Sequence, residues 1–160
     1  MMHDPIKKQK NKKILVILIL VTLAFIFGNS IVDREHSPQE SGWVLALMQP
    51  MLELFVGKGN VTEHLVRKLA HFTEFSLLGV ELCLFFHLRA DSVQKAFLLA
   101  FTHGMFTALS DETIQFFSHR GPQISDVWLD TSGAAFGACA VLILLWIVSR
   151  YSAQKNRGQI

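Results

Sequence analysis

Residues 69–88 read Leu-Ala-His-Phe-Thr-Glu-Phe-Ser-Leu-Leu-Gly-Val-Glu-Leu-Cys-Leu-Phe-Phe-His-Leu, an apolar run that nevertheless holds His71, Glu74 and Glu81. A helix needs about 20 apolar residues to span the hydrocarbon of a bilayer, and this run has that length. His71 and Glu74 stand three apart and Glu81 seven beyond, so all three fall on one stripe of the helix with Leu78 between them. An ionised side chain at the membrane centre costs about 2.5–3.5 kcal/mol on insertion scales, so such a stripe faces a protein interior or a water-filled cavity. A single polar stripe on an otherwise apolar span predicts a helical bundle inside a membrane.

Working outward, three more runs qualify as spans: Ile14–Val32, Ala96 to about Phe117, and Val127–Val148. The four take up about half the chain, more than a soluble core of this size requires. Of the 160 residues, 51% are hydrophobic and 18% charged, and the mean hydropathy is +0.35, which excludes a disordered chain. Cys83 and Cys139 each lie within an apolar run, so neither a disulfide framework nor a cysteine metal cluster is expected. The formal charge of +2 owes much to Lys7, Lys8, Lys10, Lys12 and Lys13, a charged tail with no nucleic-acid face. The expected fold is all-α: a polytopic bundle of four transmembrane helices at 14–148, flanked by cytoplasmic tails at 1–13 and 149–160.

A Lys-rich start followed by an apolar run also fits a cleaved signal peptide. The length of the first run and the absence of a small-x-small site at Phe27-Gly28-Asn29-Ser30 favour an uncleaved span. Lys and Arg side chains are retained in cytoplasmic loops. Counted over alternate segments, ten of them fall in the two tails and the 89–95 connection, against five (Arg34, Lys58, Arg67, Lys68 and Arg120) on the other side. Both termini are therefore expected inside. Trp128 and Trp146 are about 27 Å apart along the fourth helix, with Tyr151 beyond, and frame it with two aromatic belts. Between the first two spans, Trp43–Val56 is apolar but broken by Gln49, Pro50 and Glu53, which predicts an external interfacial or re-entrant piece. Asn60 with Glu63 resembles a capping box, so the second helix is expected to start near Val61.

The third run carries His103, Thr107, Asp111 and Gln115 at spacings of four, beside Ser110 and Glu112. Counting at about 1.5 Å per residue from the cytoplasmic ends brings Glu74, His71, Asp111, Glu112, Gln115 and Asp130 to one layer, roughly 20–29 Å up. Lys68, Arg67, Arg120 and Asp126 stand just above it, and His119-Arg120-Gly121-Pro122 forms an external turn. The expectation is a charged pocket open to the outer face. Glu81 and His103 meet about 11 Å up, as a structural hydrogen bond or a proton relay. Gly133 and Gly137 give the fourth helix a small-residue packing groove.

Three stretches together resemble one known family: Arg67-Lys68-Leu69-Ala70-His71-Phe72-Thr73-Glu74-Phe75-Ser76-Leu77-Leu78-Gly79; then Ser110-Asp111-Glu112-Thr113-Ile114-Gln115-Phe116-Phe117 with Arg120; then Asp126, Asp130 and Gly133. The pattern, covering about residues 60–140, is similar to the VanZ-like family of small bacterial membrane proteins. Its K-x-x-H, D-E-x-x-Q and R-x(5)-D-x(3)-D-x-x-G parts fall on Lys68, His71, Asp111, Glu112, Gln115, Arg120, Asp126, Asp130 and Gly133. Phe75 stands where the family more often has Tyr, so no role that needs a phenol carries over. The resemblance implies a multi-pass protein of the bacterial plasma membrane with a cell-envelope connection, since the namesake is associated with resistance to the glycopeptide teicoplanin. It implies no reaction.

Three functions compete on these residues. In the first, Lys68, His71, Asp111, Glu112, Gln115, Arg120, Asp126 and Asp130 bind an envelope lipid or a phosphate-bearing lipid-linked precursor, with the cations on phosphate. In the second, the layer is the active site of a hydrolase or transferase, with His71, Glu74, Asp111 and Glu112 as candidate catalytic groups. The acids would then suit a divalent cation such as Mg or Ca, although no cofactor or metal is assigned from the sequence. No H-E-x-x-H, G-x-S-x-G or P-loop supports a specific enzyme class. The third, a proton-linked transporter using Glu81 and His103, lacks an inverted repeat. Membrane lipids are the expected partners, nucleic acid is not, and a homo-oligomer is one arrangement the sequence allows.

Overall fold

The computed structural model describes residues 5–31, 49–50, 52–54, 57, 59, 61–118 and 123–157. Among these every regular element is helical. Four long helices follow in order: α1 (Pro5–Ile31), α2 (Glu63–His87), α3 (Val93–Phe117) and α4 (Ile124–Arg157). The expected external turn at 119–122, with Arg120, lies outside the described residues, as does most of the 43–56 segment, of which 49–50 and 52–54 are helical.

Local chemistry explains the helix ends. The hydroxyl of Thr62 accepts a hydrogen bond from the Leu65 amide at 3.2 Å, and Glu63 puts a negative charge in the first turn of α2. The cap is therefore Thr62, two residues after the expected Asn60. Ser92 caps α3 in the same way, accepting from the Lys95 amide at 3.2 Å. With 34 residues, α4 is about 51 Å long, so it continues past the hydrocarbon into the polar segment ending at Arg157.

Gln9–Ile31, Glu63–His87 and Ile124–Lys155 are long and apolar enough to cross a membrane. α3 matches α2 in length, at 25 residues, but not in composition. Its Asp111 is fully buried and Glu112 nearly so, while Leu98, Phe106, Leu109, Phe116 and Phe117 are exposed beside the polar His103, Ser110 and Thr113. Ile17, Leu20, Val21 and Phe25 of α1 and Ile143, Leu144, Trp146 and Ile147 of α4 are each more than half exposed, a surface suited to lipid. Trp128, Trp146 and Tyr151 point outward near opposite ends of α4.

The core gathers Phe75, Leu78, Leu82 and Cys83 of α2 with Ile26 of α1, Ala100 and Ala108 of α3, and Ala138 and Val141 of α4. Between helices in lipid there is no hydrophobic drive, so close packing of small residues does more of the work. Ala134 sits between Gly79 of α2 and Gly104 of α3, where a methyl added at Gly79 would overlap its backbone. A methyl at Gly133 would come within 2.6 Å of the Phe72 carbonyl, and one at Gly137 would overlap the Ser76 carbonyl. The glycine groove expected on α4 thus seats α2. α1 packs against α2 and α3 through a narrow stripe, Thr22, Ile26 and Ser30.

Candidate functional site

Three helices deliver their polar groups to one place. His71 of α2, Asp111 of α3 and Asp130 of α4 each offer a nitrogen or oxygen atom, all lying within 4.8 Å of one another. His71 Nδ1 is 4.0 Å from an Asp111 oxygen and 3.9 Å from an Asp130 oxygen. Asp111 is 0% exposed and Asp130 1%, so both carboxylates have given up their water. The convergence rests on the close α2–α4 approach, because a bulkier residue at Gly133 would push Phe72 and Phe75, and with them His71, away from Asp130.

Asp111 is held from two sides. Ser30 Oγ donates to one of its oxygens at 2.5 Å and Gln115 Nε2, one turn along α3, donates to the other at 2.7 Å. Asp130 differs: neither of its oxygens accepts a hydrogen bond from a described residue. Above this trio a cavity of about 30 Å³ is lined by His64, Arg67, Lys68, His71, Glu112, Gln115, Asp126, Leu129 and Asp130. Lys68 Nζ meets Asp126 at 2.8 Å, and Glu112 accepts from the Gln123 amide at 2.9 Å. Glu74 lies to the side and accepts from Asn29 Nδ2 at 3.2 Å.

Of the residues expected here, Lys68, His71, Asp111, Glu112, Gln115, Asp126 and Asp130 are together, and Glu74 stands at their edge. Arg120 is outside the described residues. Glu81 and His103 do not pair. Glu81 accepts from Thr22 Oγ1 of α1 at 3.1 Å, while His103 is exposed, with Nδ1 2.8 Å from the Leu99 carbonyl and its ring 4.8 Å from that of Phe86. Equal depth on two helices says nothing about which way each side chain faces, and the two turn apart.

Thr22, Asn29 and Ser30 are the partners that sequence reasoning passed over. Each belongs to the most apolar span, yet each meets an acid: Glu81, Glu74 and Asp111 respectively. The signal was present, since Asn29 and Ser30 close the outer end of the first span about 22–24 Å from Ile14, the level of the acids.

A family model described as VanZ/LLP1 matches residues 15–147, most of the chain. The chain belongs to this family. Its matched region runs through all four helices, so the VanZ/LLP1 assignment includes α1, which the motif resemblance over 60–140 did not reach. Searches of curated proteins and of solved structures found no match.

The Ser30 hydroxyl is buried against a buried carboxylate, so Ser30→Ala leaves an Asp111 oxygen short of a donor. Thermal or denaturant unfolding of purified protein in detergent should show a loss of about 1–3 kcal/mol. Ser132→Ala, which removes an exposed hydroxyl bonded to its own helix at Leu129, should stay within about 0.5 kcal/mol. Equal effects of the two would mean that α1 is not fastened through Ser30.

Proposed function

We propose that this VanZ-family protein sits in the bacterial plasma membrane, crosses it four times with both termini in the cytoplasm, and uses its charged cavity to engage a phosphate-bearing envelope lipid or lipid-linked precursor. Four crossings are supported by the inward aim of Asp111 and Glu112 and by the exposed Leu98, Phe106, Leu109, Phe116 and Phe117 of α3. Orientation follows from the excess of Lys and Arg in the tails and the α2–α3 connection. An alkaline phosphatase fused after residue 160 should be inactive and a cytoplasm-maturing fluorescent protein at the same place bright; the reverse pattern overturns the topology.

One observation carries the lipid reading. The polar cavity and an apolar groove occupy the same stretch of α2 on different faces. The groove, of about 510 Å³, runs between α1 and α2 and is lined by Val21, Thr22, Phe25, Val66, Leu69, Ala70, Thr73, Glu74 and Leu77. An amphiphile needs both: an apolar channel for its chain and donors for its head. Arg67 and Lys68 line the cavity mouth, and a guanidinium binds phosphate oxygens in a two-pronged fashion. Asp126 keeps Lys68 in place in the absence of ligand. By occupying such a lipid at the outer surface, the protein would alter how a glycopeptide such as teicoplanin meets its target.

Purified protein in nanodiscs should bind polyprenyl phosphate in preference to the dephosphorylated polyprenol. Arg67→Ala and Lys68→Ala should each weaken binding by about tenfold or more, the worth of one charge-assisted hydrogen bond. Affinity that ignores the phosphate, or both substitutions, removes the reading.

The facing of His71 Nδ1 toward two buried carboxylates favours a second reading, a hydrolase or transferase on a lipid-linked substrate with His71 as general base. Mass spectrometry of envelope lipids from deletion, wild-type and His71→Ala strains should then show an accumulated substrate in the first and third. Identical profiles discard catalysis and leave binding.

A further inference from the structure

Asp111 and Asp130 are two buried carboxylates within 4.8 Å of each other, and among the described residues no lysine or arginine pairs with either. The nearest lysine of the cavity, Lys68, is engaged by Asp126 at 2.8 Å. Taking an ionised group out of water costs several kcal/mol unless something compensates it. For Asp111 the compensation is visible in Ser30 and Gln115; Asp130, 1% exposed, accepts no hydrogen bond from a described residue and has only the His71 imidazole facing it, at 3.9 Å. An arrangement of this kind is completed by a positive charge placed between the acids.

We infer that His71, Asp111 and Asp130 bind one divalent transition cation, Zn²⁺ or Mn²⁺, at the floor of the cavity. The donor set of one imidazole nitrogen and two carboxylate oxygens decides the class. Mg²⁺ and Ca²⁺ favour all-oxygen shells, whereas an imidazole shifts preference toward transition metals. Ligand atoms around a tetrahedral zinc lie about 3.4 Å apart, given bonds of about 2.0–2.2 Å. The separations of 3.9 and 4.0 Å from His71 Nδ1 therefore have to close by about half an ångström each, and the two carboxylate oxygens, within 4.8 Å of each other, by at most about 1.4 Å, through side-chain rotation.

The surroundings fit the same assignment. Ser30 and Gln115 already orient Asp111 from outside, the role that outer hydrogen-bond partners play for ligating carboxylates. Three protein ligands leave positions facing the cavity, whose 30 Å³ has room for a water or two. An anionic head group entering between Arg67 and Lys68 would meet the cation beneath it. This last point rests on the lipid reading above; the site itself does not.

Full-length protein in detergent, freed of tags and stripped with EDTA, is titrated calorimetrically with ZnCl₂ and MnCl₂, and bound metal is counted by mass spectrometry. One equivalent per chain is expected for at least one of the two ions. Asp130→Asn and His71→Gln should each abolish stoichiometric uptake, Gln115→Ala should weaken it by about tenfold, and Glu81→Gln, away from the site, should leave it unchanged. Size-exclusion profiles and melting curves identify any variant that has lost its fold, and the remaining ligand variant then decides. No stoichiometric uptake by the wild type, or uptake that survives in a folded Asp130→Asn or His71→Gln variant, overturns the inference. Polyprenyl phosphate binding separates the two proposals. Binding unchanged by EDTA keeps the lipid reading and ends the metal's part in it, whereas metal uptake without lipid binding keeps the site and ends the lipid reading.

Discussion

The carboxylate of Asp111, fully buried in the middle of the bundle, is the constraint on which the remaining arrangement depends. It cannot be left without donors, and Ser30 across from α1 and Gln115 along its own helix supply them, while His71 of α2 faces it at 4.0 Å. Satisfying this one group therefore sets where three helices stand relative to one another. Glu81 with Thr22 and Glu74 with Asn29 repeat the logic at other levels, so α1, whose exterior is apolar from Ile14 onward, is tied to the bundle by hydrogen bonds to acids. Because lipid offers no hydrophobic drive for helix association, such bonds and the close glycine contacts together carry the packing.

Those glycine contacts have a chemical consequence as well as a mechanical one. α4 approaches α2 closely enough at Gly133 and Gly137 for their backbones to touch side chains and carbonyls of the partner. Asp130 lies one turn before Gly133 on α4, and His71 next to Phe72 on α2, so the tight crossing is what brings a histidine and an aspartate from separate helices within 3.9 Å. Packing and site chemistry are here the same feature seen from two sides.

Much of the site could be read from the chain because helix rise is uniform. Depth alone brought His71, Asp111, Gln115 and Asp130 to one level, and the structure joins them. Depth alone also brought Glu81 and His103 together, and there the structure parts them, since rise along an axis carries no information on how neighbouring helices are rotated. Thr22, Asn29 and Ser30 escaped notice for a different reason: in a strongly apolar span a hydroxyl or amide barely alters the average, yet one of them is worth a full hydrogen bond to an acid. The cap of α2 moved from Asn60 to Thr62 because several residues in that segment can cap, and the geometry of the first turn chooses among them.

Sequence by itself determined that this chain is helical, that most of it is built for lipid, that it resembles the VanZ-like family, and that acids and a histidine share one layer. Those properties follow from run lengths and residue spacing, which are one-dimensional. Tertiary structure alone decided which acid meets which donor, that none of the described residues donates to Asp130, and that a small polar cavity lies around α2 from an apolar groove. These depend on the rotation of each helix about its axis and on close backbone approaches at glycine, and both are fixed only when all four helices pack at once.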